Sequence, residues 1–390
     1  MLLAGDVAGL RLRSTLARGT EQGGVRLILD GSHRLVEGTL GTDNRLSPAN
    51  GGWRFSASLA LNSAAGWGEQ IYGSAIGSDH LGDALQGMSP LRIFGVGAVI
   101  PIGIDGLTLN PEYTLSQTRP IPEPGVLETA DRFERFAFRV AYPVVRTHAH
   151  SARIQVAYEH IDQVSRAVDF DVEVSHDRYS AVRAGVESSW LTRWGAHLGL
   201  SATASFGLGG RDRADAAASG VPLSRQDAGP HFSKAVIDGR YLQPLPHGFQ
   251  FDVVARAQTS FGDALLKPEQ LSLDSHDIVS GFWDGSISVD SGASIRVELG
   301  RAIAFDTPSW RALITPYLFG AAGRGQLHAP TALEQEFTNA QSVGGGVRAQ
   351  TEDAGDLPGS LLQFEVARRF TDDPYVSEGT RASVSAAVRF

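Results

Sequence analysis

His148 and His150 flank Ala149, a spacing that places two imidazoles on one side of an extended chain. A zinc site needs a further ligand, which no neighbouring residue supplies, so an exposed polar turn is the simpler reading. Asp212 and Asp215 are paired carboxylates of the kind that take calcium. Arg211 and Arg213 flank the first of them, however, and the fixed ligand spacing of a calcium loop is lacking. Ser260, His276 and Asp277 are the residue types of a nucleophilic hydrolase, yet no spacing motif joins them. Trp283, followed by Asp284 and Gly285, reads either as a binding tip or as a loop aromatic that packs locally. Gly95 and Gly97 imitate a dinucleotide fingerprint, but the apolar Val96 and Ala98 put them in a strand with no helix signal behind it. Neither a Gly-x-Ser-x-Gly elbow nor a phosphate-binding Walker loop occurs. Catalysis, a bound metal and an organic cofactor are therefore not expected, and the work of this chain must lie in its architecture.

That architecture is legible from the carboxyl end. Phe390, Val388, Ala386, Val384 and Ala382 share one face of an extended chain, while Arg389, Ala387, Ser385 and Arg381 share the other. One face suits lipid and the other a wet lumen. Phe390 supplies the terminal aromatic of a barrel-closing strand and serves as its insertion signal. A half-buried strand in a soluble sandwich has the same pattern over so short a stretch, so the rest of the chain must decide.

With 390 residues, 45 glycines and only 20% charged residues, the chain is long for one soluble domain and natural for one large barrel. Cysteine is absent, as suits a secreted or periplasmic chain that avoids stray disulfides. The net charge of -9 argues against a nucleic-acid partner. No segment offers the run of about 18 apolar residues that a membrane-spanning helix needs. Glycines interrupt the closest approach, residues 92–104. If this chain spans a membrane, it does so as a closed sheet. Residues 1–6 lack the basic start and sustained apolar stretch of a signal peptide, so the chain reads as a fragment or as beginning at a misassigned start.

Alternation yields about sixteen expected strands. They are residues 32–44, 51–62, 67–78, 89–103, 106–117, 132–145, 150–162 and 177–190, then 193–208, 231–243, 247–260, 290–303, 309–323, 341–350, 360–370 and 380–390. Short turns fall at 63–66, 104–105, 146–149, 191–192 and 244–246. Long polar loops fall at 118–131, 163–176, 209–230, 261–289 and 324–340. Short and long connections alternate, as in barrels with small periplasmic turns and large external loops. Several strands repeat the two faces. Phe136, Phe138, Val140 and Tyr142 oppose Arg135 and Arg139, and Ile295, Val297 and Leu299 oppose Arg296 and Glu298. A soluble sandwich would have to find partners for all these charges in its core. Arg368 alone breaks the phase of its strand. The expected fold is all-β, a transmembrane antiparallel barrel over residues 32–390.

Two stretches add a family resemblance. Residues 12–19 and 24–30, followed by 43–44, 51–62 and 64–70, resemble the junction between a POTRA domain and the barrel in two-partner secretion transporters, the haemolysin secretion/activation branch of the Omp85 superfamily. Residues 232–238, 242–249, 257–258, 269–274, 279–282, 289–292 and 296–299 resemble that family's long sixth external loop and its flanking strands. The resemblance implies a partial POTRA domain over residues 1–31 and a loop, 261–289, that folds back into the pore. It implies a pore-loop tip at Val279, Ser280, Gly281 and Phe282, with Asp290 and Gly292 behind it.

The family tip reads Val-Arg-Gly-Tyr/Phe, and its Arg pairs with an Asp in a wall motif Phe-x-Asp-x-Gly. Here Ser280 replaces that Arg. In the matching wall stretch, Phe319 and Gly323 flank Ala321 where the Asp would stand. Losing one partner would strand a charge, whereas losing both is close to neutral. Phe282, Trp283 and the Gly281 backbone are then left to hold the loop, or it is looser. The resemblance implies a Gram-negative outer-membrane transporter that secretes a partner exoprotein such as a haemolysin or adhesin, with or without activating it. Outer-membrane lipids and the barrel-assembly machinery are its other expected partners, and closure of the sheet suggests a monomer. A passive pore or surface-binding barrel, and less readily an outer-membrane hydrolase, remain alternatives.

Overall fold

A computed structural model of the chain describes residues 7–20, 24–78, 89–122, 124–306, 311–351 and 359–390. The expectations for residues 1–6, and for 309–310 at the head of one strand, fall outside the described residues. A hairpin comes first, β1 (Leu10–Arg18) against β2 (Val25–His33), in a small sheet of its own. Leu16, Val25, Leu27 and Leu29 stand exposed on it.

The strands that follow are β3 (Val36–Asp43), β4 (Arg54–Asn62), β5 (Gln70–Ser78), β6 (Leu91–Ile102), β7 (Leu107–Thr118), β8 (Thr129–Arg146), β9 (His150–Ala167) and β10 (Val172–Leu191). Next come β11 (His197–Gly210), β12 (Ser233–Pro244), β13 (Phe249–Thr259), and the two-residue pieces β14 (Leu271–Ser272) and β15 (Ser288–Val289). The chain ends with β16 (Ser291–Arg301), β17 (Ile303–Asp306), β18 (Arg311–Gln326), β19 (Phe337–Thr351), β20 (Ser360–Thr371) and β21 (Gly379–Arg389). β16 and β17 both pair with β18 as one interrupted strand, β14 and β15 pair only with each other, and β21 meets β3 to close a sixteen-stranded antiparallel barrel. Closure leaves no unpaired edge in lipid, where a bare N–H or C=O has no water to bond.

Side-chain phase follows the pleat. Phe136, Phe138, Val140 and Tyr142 point outward from β8, and Ile295, Val297 and Leu299 from β16, while Arg296 and Glu298 are buried inside. β8, β9 and β10 have 18, 18 and 20 residues. A tilted strand crosses the bilayer in about 9–11, so these three project past the lipid at the end that carries the long loops. This corrects the expected loop over 163–176. β9 runs through Ala167, β10 begins at Val172, and only a tight turn through Val168–Phe170 separates them, with Asp171 at φ 49°. The residues are polar because the strands have left the lipid. The same applies to Arg368, which follows the outward Leu362, Phe364 and Val366 and stacks on the Phe370 ring at 5.2 Å from its centroid. A second correction concerns 209–230, which holds a short helix, α1 (Arg213–Ser219).

Among the described residues, and counting β16 and β17 as one strand, the closing seam is the shortest junction in the barrel wall. β21 and β3 share five residue pairs, against nine for β4 with β5 and seventeen for β8 with β9. At its short-turn end Phe390 and Gly38 exchange backbone hydrogen bonds of 3.0 and 2.9 Å. The ring leaves no room for a side chain there, since a Cβ on Gly38 would lie 2.4 Å from it. At the long-loop end the Asn44 side chain stands in for a peptide group, donating to the Ala382 carbonyl at 3.2 Å and accepting the Val384 N–H at 2.9 Å. Asn44→Ala is expected to destabilise the seam by about 1–3 kcal/mol. The measurement is the temperature at which the barrel loses its compact electrophoretic form, and an unchanged temperature would exclude this role.

Candidate functional site

The connection from β13 to β16 does not extend into solvent. Its Leu271, Leu273, Ile278, Val279, Phe282, Ile287 and Val289 are buried together with Ala340 of the wall, and Val254 and Ala321 pack against them. Asp274 ties the two legs of the loop. Its carboxylate accepts the Ser286 and Ile287 N–H groups at 2.5 and 3.3 Å and the Ser272 hydroxyl at 2.5 Å. Burial pushes the Asp274 carboxyl above its ordinary range, and these bonds pull the other way.

Ionic contacts at three levels hold the loop. At its base Asp290, fully buried, receives both Arg225 contacts at 2.8 Å, the Leu265 and His328 N–H groups at 3.1 and 2.7 Å, and the Gln270 amide at 3.1 Å. Arg225 comes from the β11–β12 connection and His328 from the β18–β19 connection, so one carboxylate joins three loops. Gly292 follows where β16 runs close to β18; a Cβ there would meet the Arg324 carbonyl at 2.8 Å. Higher on the loop, Glu269 accepts hydrogen bonds from Arg183 at 2.6 and 3.1 Å and from Tyr179 at 2.7 Å, and pairs with Lys234 at 2.8 Å. Burial raises its carboxyl, but Lys234 and Arg183 outweigh burial and hold it down at about 2.

That folded value lies below the ordinary 4.5, so the anchor's contribution is complete above this pH and is lost as pH falls toward 2. Protection of the loop from amide exchange should therefore stay level between about pH 7 and 5 and fall below about pH 4. Glu269→Gln should abolish that dependence; a profile that stays the same in the variant would remove Glu269 as the titrating group.

The tip forms the third level. The Ser280 hydroxyl bonds the Arg296 guanidinium at 3.0 Å. Arg296 also pairs with Glu365 at 2.7 Å and Glu298 at 3.2 Å, and lies over the Phe319 ring, 3.6 Å from its centroid. Tyr317 donates to Glu365 at 2.8 Å and Arg348 binds Glu298 at 2.7 Å. Arg296 stands directly across from Ala321 in the β16–β18 register. A guanidinium thus does occupy the space beside the wall motif, but it comes from the neighbouring strand and its acid from β20. Both were legible as lumen-facing, since Arg296 lies between the outward Ile295 and Val297, and Glu365 between Phe364 and Val366. Their meeting was not, because it depends on strand register.

The far side of the tip reaches the seam. Arg369 donates to the Gly281 carbonyl at 2.8 Å, and Gly281 adopts φ 96°, a backbone that disfavours any side chain. Arg381 of β21 bonds the carbonyls of Phe282 and Asn44 and lies over the Trp283 ring at 3.5 Å. Arg54 of β4 pairs with Asp43 at 2.8 Å and Asp284 at 3.2 Å. The tip therefore touches both sides of the β21–β3 junction. Toward the short-turn end the lumen is open, with cavities of about 530 and 410 Å3 lined by Arg240, Asp277 and other charged groups. The wall charges there are paired, Arg240 with Asp252 at 2.6 Å and Arg256 with Asp238 at 2.5 Å.

The other candidate residues are dispersed. His150 bonds the Ser188 hydroxyl at 2.9 Å and stacks on Trp190, with ring centroids 4.9 Å apart. Asp212 and Asp215 cap α1 reciprocally. Ser260 is spent on Ser291 and the Asp263 carbonyl at the loop base, while His276 and Asp277 line the lumen cavity. Burial and the neighbouring Arg45 lower the pKa of His276, favouring its neutral form.

A closed sixteen-stranded barrel with one long connection tied into its lumen defines the class as a transmembrane β-barrel with a lumenal loop. A family model described as haemolysin secretion/activation protein ShlB/FhaC/HecB matches residues 25–349, and the chain belongs to that family. It is a two-partner secretion transporter of the Gram-negative outer membrane. Among solved structures, CdiB from Escherichia coli is 18% identical with a TM-score of 0.78, over 100% of this chain and 69% of that one. CdiB from Acinetobacter baumannii is 16% identical with a TM-score of 0.70, over 100% and 67%. BamA from Haemophilus ducreyi lacking POTRA domains 1–3 is 11% identical with a TM-score of 0.58, over 99% and 76%. At these identities the likeness is one of fold. No curated protein matches at the sequence level.

Proposed function

We propose that the chain exports an unfolded exoprotein through its lumen, and that the 261–289 loop is the gate this substrate displaces. The observation that carries the reading is the character of the anchors. Asp290, Glu269 and the Ser280 contact to Arg296 hold the loop by ion pairs and hydrogen bonds. These polar contacts can be taken over by water or by a passing polypeptide, and the loop's apolar side chains, which meet the wall at the small Val254, Ala321 and Ala340, can stay packed on one another as it leaves. Paired charges along the lumen wall would solvate an extended chain without gripping it. The hairpin of β1 and β2 fits a part of a POTRA domain, whose free edges would capture the exoprotein by strand addition. Phe390 would direct insertion by the barrel-assembly machinery, and the closed sheet is expected to act as a monomer without catalysis.

The test is secretion in cells that make the partner exoprotein with or without this barrel. Retention of the exoprotein in the periplasm without the barrel is expected, and normal export would overturn the reading. Removing residues 271–287 should convert the closed lumen to a steady conducting pore in planar bilayers. Unchanged conductance would show that the loop does not gate.

A further inference from the structure

We propose that the outward face of β6 to β10, just beyond the lipid belt, binds the phosphorylated headgroup of an outer-leaflet glycolipid. Strand register builds this face in rows. One outward row runs Phe94, Leu115, Glu134 and Asp162. The next, one step toward the long loops, runs Arg92, Gln117, Arg132 and Val164. Beyond it Arg166 pairs with Ala130, and Arg119 follows β7 with its N–H on the Pro90 carbonyl at 2.9 Å. Toward the membrane the same face carries the exposed Val96, Tyr113, Phe136, Phe138 and Tyr158. On β6 and β7 the arginine-bearing row follows directly on the apolar Phe94 and Leu115, while on β8 and β9 the carboxylates Glu134 and Asp162 stand between it and the belt, all at the level of the lipid headgroups of the external leaflet.

Arg92, Arg119, Arg132 and Arg166 line one cleft of about 400 Å3. Arg119 pairs with Glu128 at 2.6 Å, Arg166 with Glu173 at 3.0 Å, and Arg132 with Glu134. The Arg132 and Arg166 side chains are 60% and 54% exposed in these pairs. Exposed pairs of this kind contribute little and exchange readily. A phosphate offers each guanidinium a bidentate, more highly charged acceptor than the carboxylate it leaves. The ligand is assigned as lipid because the cleft opens outward, away from the lumen, and is continuous with the acyl-facing surface below it. Acyl chains of a bound glycolipid would lie on Phe94, Phe136 and Phe138 while its phosphates reach the arginines.

The full chain, purified in detergent, is incubated with bisphosphorylated lipid A and with its dephosphorylated form, and bound lipid is counted by native mass spectrometry. A variant carrying R92Q, R132Q and R166Q should retain at least about tenfold less of the bisphosphorylated lipid. The dephosphorylated form should be retained weakly and equally by both proteins. A control carrying R324Q and R368Q, arginines elsewhere on the outward face, should bind like the parent. Arg132, Arg166, Arg324 and Arg368 are exposed and Arg92 is half-buried, and the heat-modifiable electrophoretic form reports that the barrel is closed. Equal retention of bisphosphorylated lipid by the triple variant and the parent would overturn the proposal. So would competition by inorganic phosphate at concentrations equal to the lipid, which would mark a free-anion site. If the triple variant does not close, R132K and R166K, which keep charge but lose the fork, should give a smaller drop, and no drop would overturn it.

Discussion

Arg296→Ala is expected to free the tip of the loop and open the lumen. The substitution removes the one cation that touches Ser280, Glu298 and Glu365 together, and leaves Glu365 buried with the Tyr317 and Ser280 hydroxyls and no cation of its own. Stranding a buried carboxylate in this way costs about 3–5 kcal/mol, far more than the pair itself contributes. The chain contains no cysteine, so a single thiol placed at Ser286 reports tip exposure without background. If the loop leaves the wall to relieve the stranded charge, labelling should accelerate by roughly a hundredfold or more. Conductance should rise in parallel. Arg296→Lys keeps the charge but not the planar contact with Phe319, and should fall between the two. Labelling unchanged in Arg296→Ala would show that Phe282 and Trp283 hold the tip by themselves.

The second large effect is a sign reversal between single and double changes. Arg296 and Arg348 balance Glu298 and Glu365, so the buried cluster at the tip is neutral as it stands. Ser280→Arg adds a second guanidinium against Arg296, and Ala321→Asp adds a third carboxylate. Each alone leaves about one uncompensated buried charge and should destabilise the docked loop by several kcal/mol. Made together they restore neutrality. Asp at 321 would stand opposite both Arg296 and Ser342, whose buried hydroxyl makes no hydrogen bond among the described residues. Each single variant should therefore conduct more than the parent, and the double variant no more than the parent or less. Additive effects of the two changes in planar bilayers would show that the positions do not face one another.

Much of this molecule is written locally. Each of the sixteen barrel strands overlaps an expected one, with its ends displaced by a few residues, because pleating has a period of two, and lipid on one side with water on the other stamps that period on the residue types. The alternation of short and long connections set the orientation. Where local reading failed, the cause was a change of surroundings within one element. Beyond Asp162 on β9 the outside of the strand has left the hydrocarbon core for a polar surrounding, so polar residues no longer signal a loop. Arg368 fails the alternation for the same reason. Helix α1 was missed because seven residues are too few to show a helical period, although the pattern of Asp212 and Asp215 around Arg213 is a capping box that could have been recognised.

By itself the sequence determined the barrel, its inward and outward faces and the bounds of its long connections, because each of these rests on residues adjacent or alternating along the chain; that the 261–289 connection enters the lumen was implied only by the family resemblance. Only the tertiary structure decided what holds that loop. Arg296 meets Ser280 and Glu365 across three different elements, and Asp290 gathers Arg225 and His328 from two others. These partners stand 16, 69, 65 and 38 residues apart in sequence. The Arg296–Glu365 pair is set by register around a closed sheet, and the loop contacts by how separate connections meet at one mouth of it, both properties of the whole ring that no local pattern encodes.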